Sequence, residues 1–214
     1  MEIFSLLKKI CDQEAFLELK PKSKIPLAND WPNQGKSLDR VKSTDGNLGL
    51  ILGIKSGILD IDLDCTESKA LADIILPSPH AIFERGSSDS SHYLYKALSF
   101  GPRKVFNADG TKSTLVELRG DGSQTMIPPS IHPNDSQLTF TSFNDERPKV
   151  KYHNLLRAVS MLAACSEVAQ NWREGYRHDL AVAFSGLCLK QNVEPNLLIH
   201  IVQRICKITG DQEV

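Results

Sequence analysis

Apolar residues recur at helical spacing through residues 3 to 19, IFSLLKKICDQEAFLEL, and predict an amphipathic helix. Pro21 to Asn47 is a polar stretch rich in proline, lysine and asparagine, with Trp31 inside it. Short strand patterns follow, separated by Gly, Ser, Asn or Pro: LGLILGI (48 to 54), GILDIDL (57 to 63), HAIFER (80 to 85), SHYLYKA (91 to 97), LVELR (115 to 119) and SQTMIP (123 to 128). Ser68 to Leu76 is the one helix among them. After Arg147-Pro148 the period changes. Leu155, Val159, Leu162 and Ala163, then Leu180, Ala183, Phe184, Leu187 and Cys188, then Leu197, Leu198, Ile201, Val202 and Ile205 recur at three and four. Pro195 fits the first turn of the last helix. The pattern gives an α+β core over 1–150 and a helical module over 151–214, whose lack of a terminal signal suits a piece truncated from a longer protein.

Of the 214 residues, 41% are hydrophobic and 24% charged, as in a globular protein. The formal net charge is -1, so contact with nucleic acid needs a local basic patch. The candidates are Lys20, Lys22 and Lys24, Arg40 and Lys42, Arg103 and Lys104, and Lys149 and Lys151. Five scattered cysteines show no zinc spacing, so no zinc site is expected. The N-terminus is unlike a signal peptide and no apolar run nears 18 residues, which points to a cytoplasmic protein with no membrane partner.

The chemistry concentrates in Ile58-Leu59-Asp60-Ile61-Asp62-Leu63-Asp64, where alternation sends all three aspartates to one side of a strand. Carboxylates roughly 7 Å apart repel by about 2 kcal/mol per pair at an effective dielectric near 20, and a cation between them reverses the sign. A solvent-facing edge strand would also tolerate such acids, but Ile61 and Leu63 bury the opposite side. An EF-hand is excluded because its sixth and twelfth positions fall on Cys65 and Leu71. Asp62-Leu63-Asp64-Cys65-Thr66 matches the start of a haloacid-dehalogenase-type phosphatase, but the later G-D-x-x-x-D acid is missing after Gly120-Asp121.

A second cluster, Ser90-Ser91-His92, follows a flexible Gly86–Asp89 loop. A third, Val116-Glu117-Leu118-Arg119, sets Glu117 and Arg119 on one strand face before a Gly120-Asp121-Gly122 tight turn into the next strand and the segment Pro128-Pro129-Ser130-Ile131-His132-Pro133. An acid-x-acid, a serine-histidine and a hydrophobic-acid element in this order resemble the archaeo-eukaryotic primase superfamily, specifically the bifunctional primase-polymerase domains of plasmids, phages and prophages. Lys24-Ile25-Pro26 with Trp31, and the Leu48 to Gly53 strand, resemble the family's N-terminal part, and the likeness spans roughly 20 to 135.

The resemblance implies an N-terminal α/β layer packed on an RRM-like antiparallel sheet, followed by a small helical bundle. It implies a template-dependent nucleotidyltransferase that makes or extends primers on single-stranded DNA from dNTPs or NTPs with two Mg2+ or Mn2+ ions. A fused or separate helicase would be a partner. Asp60, Asp62 and Glu117 would be catalytic, and Asp64 a further ligand. The acid pair is Asp60 with Asp62 or Asp62 with Asp64; the first is preferred because Asp64 stands where it could cap the next helix. Ser90, Ser91, His92 and Arg119 would contact the nucleotide, and Lys22, Lys24, Arg85, Lys104 and His132 are weaker nucleic-acid candidates. A non-catalytic binding module of the same fold is the other reading.

Overall fold

The alternation of Ile58 to Leu63 is realised in the middle of a sheet, with one side of the strand apolar throughout and the other changing from apolar to acidic along its length. The computed structural model describes residues 3–41, 46–86 and 88–211, and of 88–91 only the backbone, so Lys42 and the side chains of Ser90 and Ser91 lie outside the described residues. The described elements are α1 (Ile3–Ile10), β1 (Phe16–Leu19), β2 (Asn47–Ile51), β3 (Ile58–Leu63), α2 (Thr66–Ile75), β4 (Ala81–Arg85), β5 (Ser88–Ser99), β6 (Lys104–Asn107), β7 (Thr114–Arg119), β8 (Gln124–Ile127), β9 (Leu138–Phe143), β10 (Val150–Lys151), α3 (Tyr152–Gln170), α4 (Arg177–Lys190) and α5 (Pro195–Thr209). The architecture is α+β with two sheets: an antiparallel β1-β2-β8 sheet, and a larger sheet in the order β6-β7-β3-β5-β4-β9 with β10 paired to β5.

The larger sheet is antiparallel apart from the short β10–β5 pairing. On its back face Leu59, Ile61, Leu63, Tyr95, Val116 and Leu118 pack with Leu71 of α2, Leu155, Val159 and Leu162 of α3, and Ile201 and Ile205 of α5. On its front face Ile58, Ala81, Phe83 and Leu94 join a second core with Phe16, Leu17, Leu19, Leu48, Leu50 and Ile51 of the small sheet and Leu7 and Ile10 of α1. The small sheet therefore covers the part of the front face around Ile58, and the acids of β3 lie farther along it.

Two sequence expectations are corrected. The helix expected over 3 to 19 ends at Ile10, because Phe16–Leu19 pairs antiparallel with Leu50 to Asn47 and that long-range ladder overrides the helical period. Asp64 does not cap α2: Cys65 does, its thiol accepting from the Ser68 amide while the Ser68 hydroxyl reaches back. The tight turn expected after Arg119 forms, with the Ser123 amide donating to the Gly120 carbonyl, and it leads into β8, which pairs with β2 in the other sheet. A Cβ on Gly120 would lie 2.2 Å from the Gly101 carbonyl oxygen, so the chain passes Gly101 too closely for any side chain as it leaves β7. No helix among the described residues is long and apolar enough to cross a membrane.

Candidate metal and nucleotide site

Register decides which side chains meet. Asp62 is paired with His92 of β5 on one side and Glu117 of β7 on the other, so the three form one row across three strands. Asp60 lies one step back in a row with Arg119 and Leu94. A ligand atom from each of Asp62, Asp64 and Glu117 lies within 4.8 Å of the other two. Of the two pairs the sequence left open, this grouping contains Asp62 with Asp64.

Asp60 is fully buried, and its two oxygens face His92 Nδ1 at 3.2 and 3.0 Å. Burial raises the cost of ionising Asp60, but the charge and hydrogen bond of His92, with Arg119, outweigh it and hold the carboxyl below its usual range. Burial likewise opposes the His92 imidazolium, and Asp60 and Asp62 overcome it, raising the His92 pKa. Phe83 stacks on the imidazole with centroids 4.4 Å apart and planes 6° apart, fixing its tilt. His92 Nε2 stands 3.5 Å from Asp62 Oδ1, a buried oxygen with no hydrogen-bond partner.

Asp62 Oδ2 and Glu117 Oε2 both accept from Arg119, the latter at 2.8 Å, and Glu117 Oε1 accepts from Arg103. Asp64 is exposed at the mouth, where desolvation and then the neighbouring Asp62 charge raise its pKa. An all-carboxylate donor set with a buried, partnerless oxygen fits a hard divalent cation. Asp62, Asp64 and Glu117 could hold one.

The cleft over these acids encloses about 310 Å³, and Lys24, Arg85, Arg103 and Arg119 bring positive charge to it among His132, Trp31, Met126, Leu138 and Ser123 to Thr125. Arg85 Nη1 lies 3.1 Å from His132 Nε2. Desolvation lowers the Lys24 pKa, helped by Arg119 and Arg85 and opposed by Asp62; desolvation followed by Arg85 and Lys24 lowers that of His132. Such crowding of positive charge is favourable only with anions among them.

Of the weaker candidates, Lys24, Arg85 and His132 therefore reach the cleft and two do not. Lys22 is exposed and paired with Asp135. Lys104 sits opposite Leu118 in the β6–β7 ladder, on the back face, so it is its neighbour Arg103 that serves the site. Sequence reasoning counted Arg103 only among the basic clusters for nucleic-acid contact and not as a partner of Glu117, and it missed the contribution of Ser123, Gln124, Thr125 and Met126. Their strand was visible but not its crossing into the second sheet.

Among curated proteins, none matches the chain in sequence. The model of one family, described as bifunctional DNA primase/polymerase, N-terminal, matches residues 9–150, a span that holds every member of the row and of the acidic group. With more than half of its length matched and the acids, histidine and cationic cleft in one place, the chain belongs to the bifunctional DNA primase/polymerase N-terminal family.

Proposed function

We propose that the chain is a template-dependent nucleotidyltransferase that synthesises or extends primers on single-stranded DNA, with Asp62, Asp64 and Glu117 as its cation ligands. The observation that carries this reading is the carboxylate group within 4.8 Å set in a cleft that Lys24, Arg85, Arg103 and Arg119 also line. Two Mg2+ or Mn2+ ions held there would stabilise charge on the attacking hydroxyl and on the triphosphate during in-line displacement. The protein's own work is positioning. Asp60 and Phe83 orient His92 so that Nε2 faces the cleft beside Asp62, where it can donate to a phosphate oxygen. Arg119, Arg103, Lys24, Arg85 and His132 supply donors for the triphosphate and the template backbone. Trp31, Met126 and Leu138 give the cleft an apolar wall against which a base or sugar can lie. The division into a catalytic core over 1–150 and a helical module beyond it belongs to the same proposal.

The test is incorporation of labelled dNTPs and NTPs on single-stranded DNA, with and without a primer and with Mg2+ or Mn2+. Wild-type product is expected to vanish in both Asp62→Ala and Glu117→Ala. Product that survives either substitution rejects the ligand assignment. No product in the wild type, with nucleic-acid binding retained, replaces the enzyme with a binding module.

A further inference from the structure

Arg119 holds a position that a divalent cation would contest. Its guanidinium bonds Asp62 Oδ2 and Glu117 Oε2, and its Nη1 lies 3.8 Å from Asp60 Oδ2. Two of the three acids in the candidate ligand group thus share a resident positive charge. A guanidinium and a divalent ion on the same oxygens repel one another, so each weakens the other's hold.

The two arginines on Glu117 have different places to go once displaced. The Arg103 side chain is 58% exposed and can turn to water, whereas that of Arg119 is 18% exposed and enclosed by the strands that carry it. A guanidinium at that depth needs another anion if its carboxylates are taken. Apart from the ligand acids the charged lining of the cleft is cationic, and Asp60, the carboxylate left beside Arg119, is already engaged through both oxygens by His92. A triphosphate in the same cleft offers several oxygens in a geometry that suits the planar fork.

From this, and resting on the nucleotidyltransferase reading, we infer that Arg119 couples the two ligands: it opposes the cation at Asp62 and Glu117 when no nucleotide is present, and moves to the triphosphate when both arrive. Cation and nucleotide then bind with positive cooperativity, and by linkage each raises the other's affinity by the same factor. The device keeps the acids satisfied between turnovers and ties full assembly of the site to the arrival of substrate.

The experiment is a Mn2+ titration of the full chain, followed by the electron paramagnetic resonance of free Mn2+, with and without a non-hydrolysable deoxynucleoside triphosphate analogue. In the wild type the analogue is expected to raise Mn2+ affinity about tenfold or more, the size of an ordinary coupling between sites. Arg119→Gln is expected to bind Mn2+ about tenfold more tightly than wild type without the analogue, on the scale of one charge-assisted contact. Its coupling factor should fall toward one. Arg119→Lys keeps the charge but cannot span both carboxylates, and should lie between the two; it decides the matter if the glutamine variant fails to fold. Unchanged or weaker Mn2+ binding in these variants, with the coupling intact, overturns the role of Arg119 and leaves the proposed function standing. Wild-type protein that binds no Mn2+, or binds it equally well after Asp62→Ala, overturns both.

Discussion

Asp60 stands two residues before Asp62 on β3 and Asp64 two residues after it, just past the strand's end, in opposite surroundings. Asp60 is fully buried under His92, and Asp64 lies at the exposed mouth of the cleft. Their pKa directions differ accordingly: the first is held down by His92 and Arg119 against its burial, the second is pushed up by desolvation and by Asp62. The two acids therefore have separable roles. Asp60→Asn removes one partner of a buried ion pair and is expected to cost about 3 kcal/mol in urea unfolding, the usual scale for leaving the other charge uncompensated. Asp64→Asn relieves repulsion with Asp62, so its stability should match or slightly exceed wild type while its Mn2+ affinity falls. If Asp60→Asn instead loses Mn2+ with its fold intact while Asp64→Asn keeps it, the ligand pair is Asp60 with Asp62. The acids, His92 and Glu117 were legible in the sequence because strand alternation fixes faces. That Asp64 and not Asp60 falls in one group with Asp62 and Glu117 was not, because the two share a face and only the position of His92 separates them.

His80 ties three strands together at one end of β4. Its amide donates to the Leu94 carbonyl, its carbonyl accepts from the Asn144 amide, and its Nδ1 accepts from the Lys96 amide at 3.2 Å. The residue is 2% exposed, and Nε2 has no hydrogen-bond partner. Desolvation lowers its pKa, with the Lys96 and Arg147 charges adding and Asp145 and the Arg147 backbone opposing. Because the folded value lies below the unfolded one, this contribution is fully present above about pH 6.5; it is lost as pH falls and the unfolded chain takes up the proton first. His80→Asn keeps an acceptor near the Lys96 amide and does not titrate. The stability difference between wild type and this variant should therefore change between pH 7 and 5, in the direction of wild type losing ground. Parallel curves would show that His80 is not the source. At this scale the central strands and α2 were readable from alternation and from Gly and Pro punctuation, whereas β6 and β9 were missed. The exposed pattern of Lys104–Asn107 and the mixed one of Leu138–Phe143 mark edge positions, where one neighbour rather than a buried face makes the strand. The convergence of Lys24, Arg85, Arg103 and His132 on one cleft is likewise a product of topology, with segments from across the chain meeting over β3.

The family match ends at residue 150, but the packing of the sheet does not. The back face of β3 and β7 is covered by α3 and, through α2, by α5, where Leu155, Val159, Leu162, Ile201 and Ile205 are each no more than 1% exposed. Burying one such side chain contributes about 1.5–3 kcal/mol, so losing these alone removes on the order of 10 kcal/mol, comparable to the whole stability of a typical domain. Arg204 of α5 adds a direct tie to α2, donating to the Ala70 carbonyl and pairing with Asp73. The helical period after Pro148 made these helices legible, but a period says which residues face inward and not which surface receives them. A chain ended at Lys151 leaves Leu59, Ile61, Leu63, Val116 and Leu118, on the back of the strands whose front carries the acids, with only α2 to cover them. It is expected to unfold without a cooperative transition and to bind a hydrophobic dye, while the 214-residue chain unfolds in one step. A sharp transition in the shortened chain, with Mn2+ affinity equal to that of the full chain, would show that α3 and α5 are dispensable to the site; loss of both would make the helices part of what holds Asp62 and Glu117 in register.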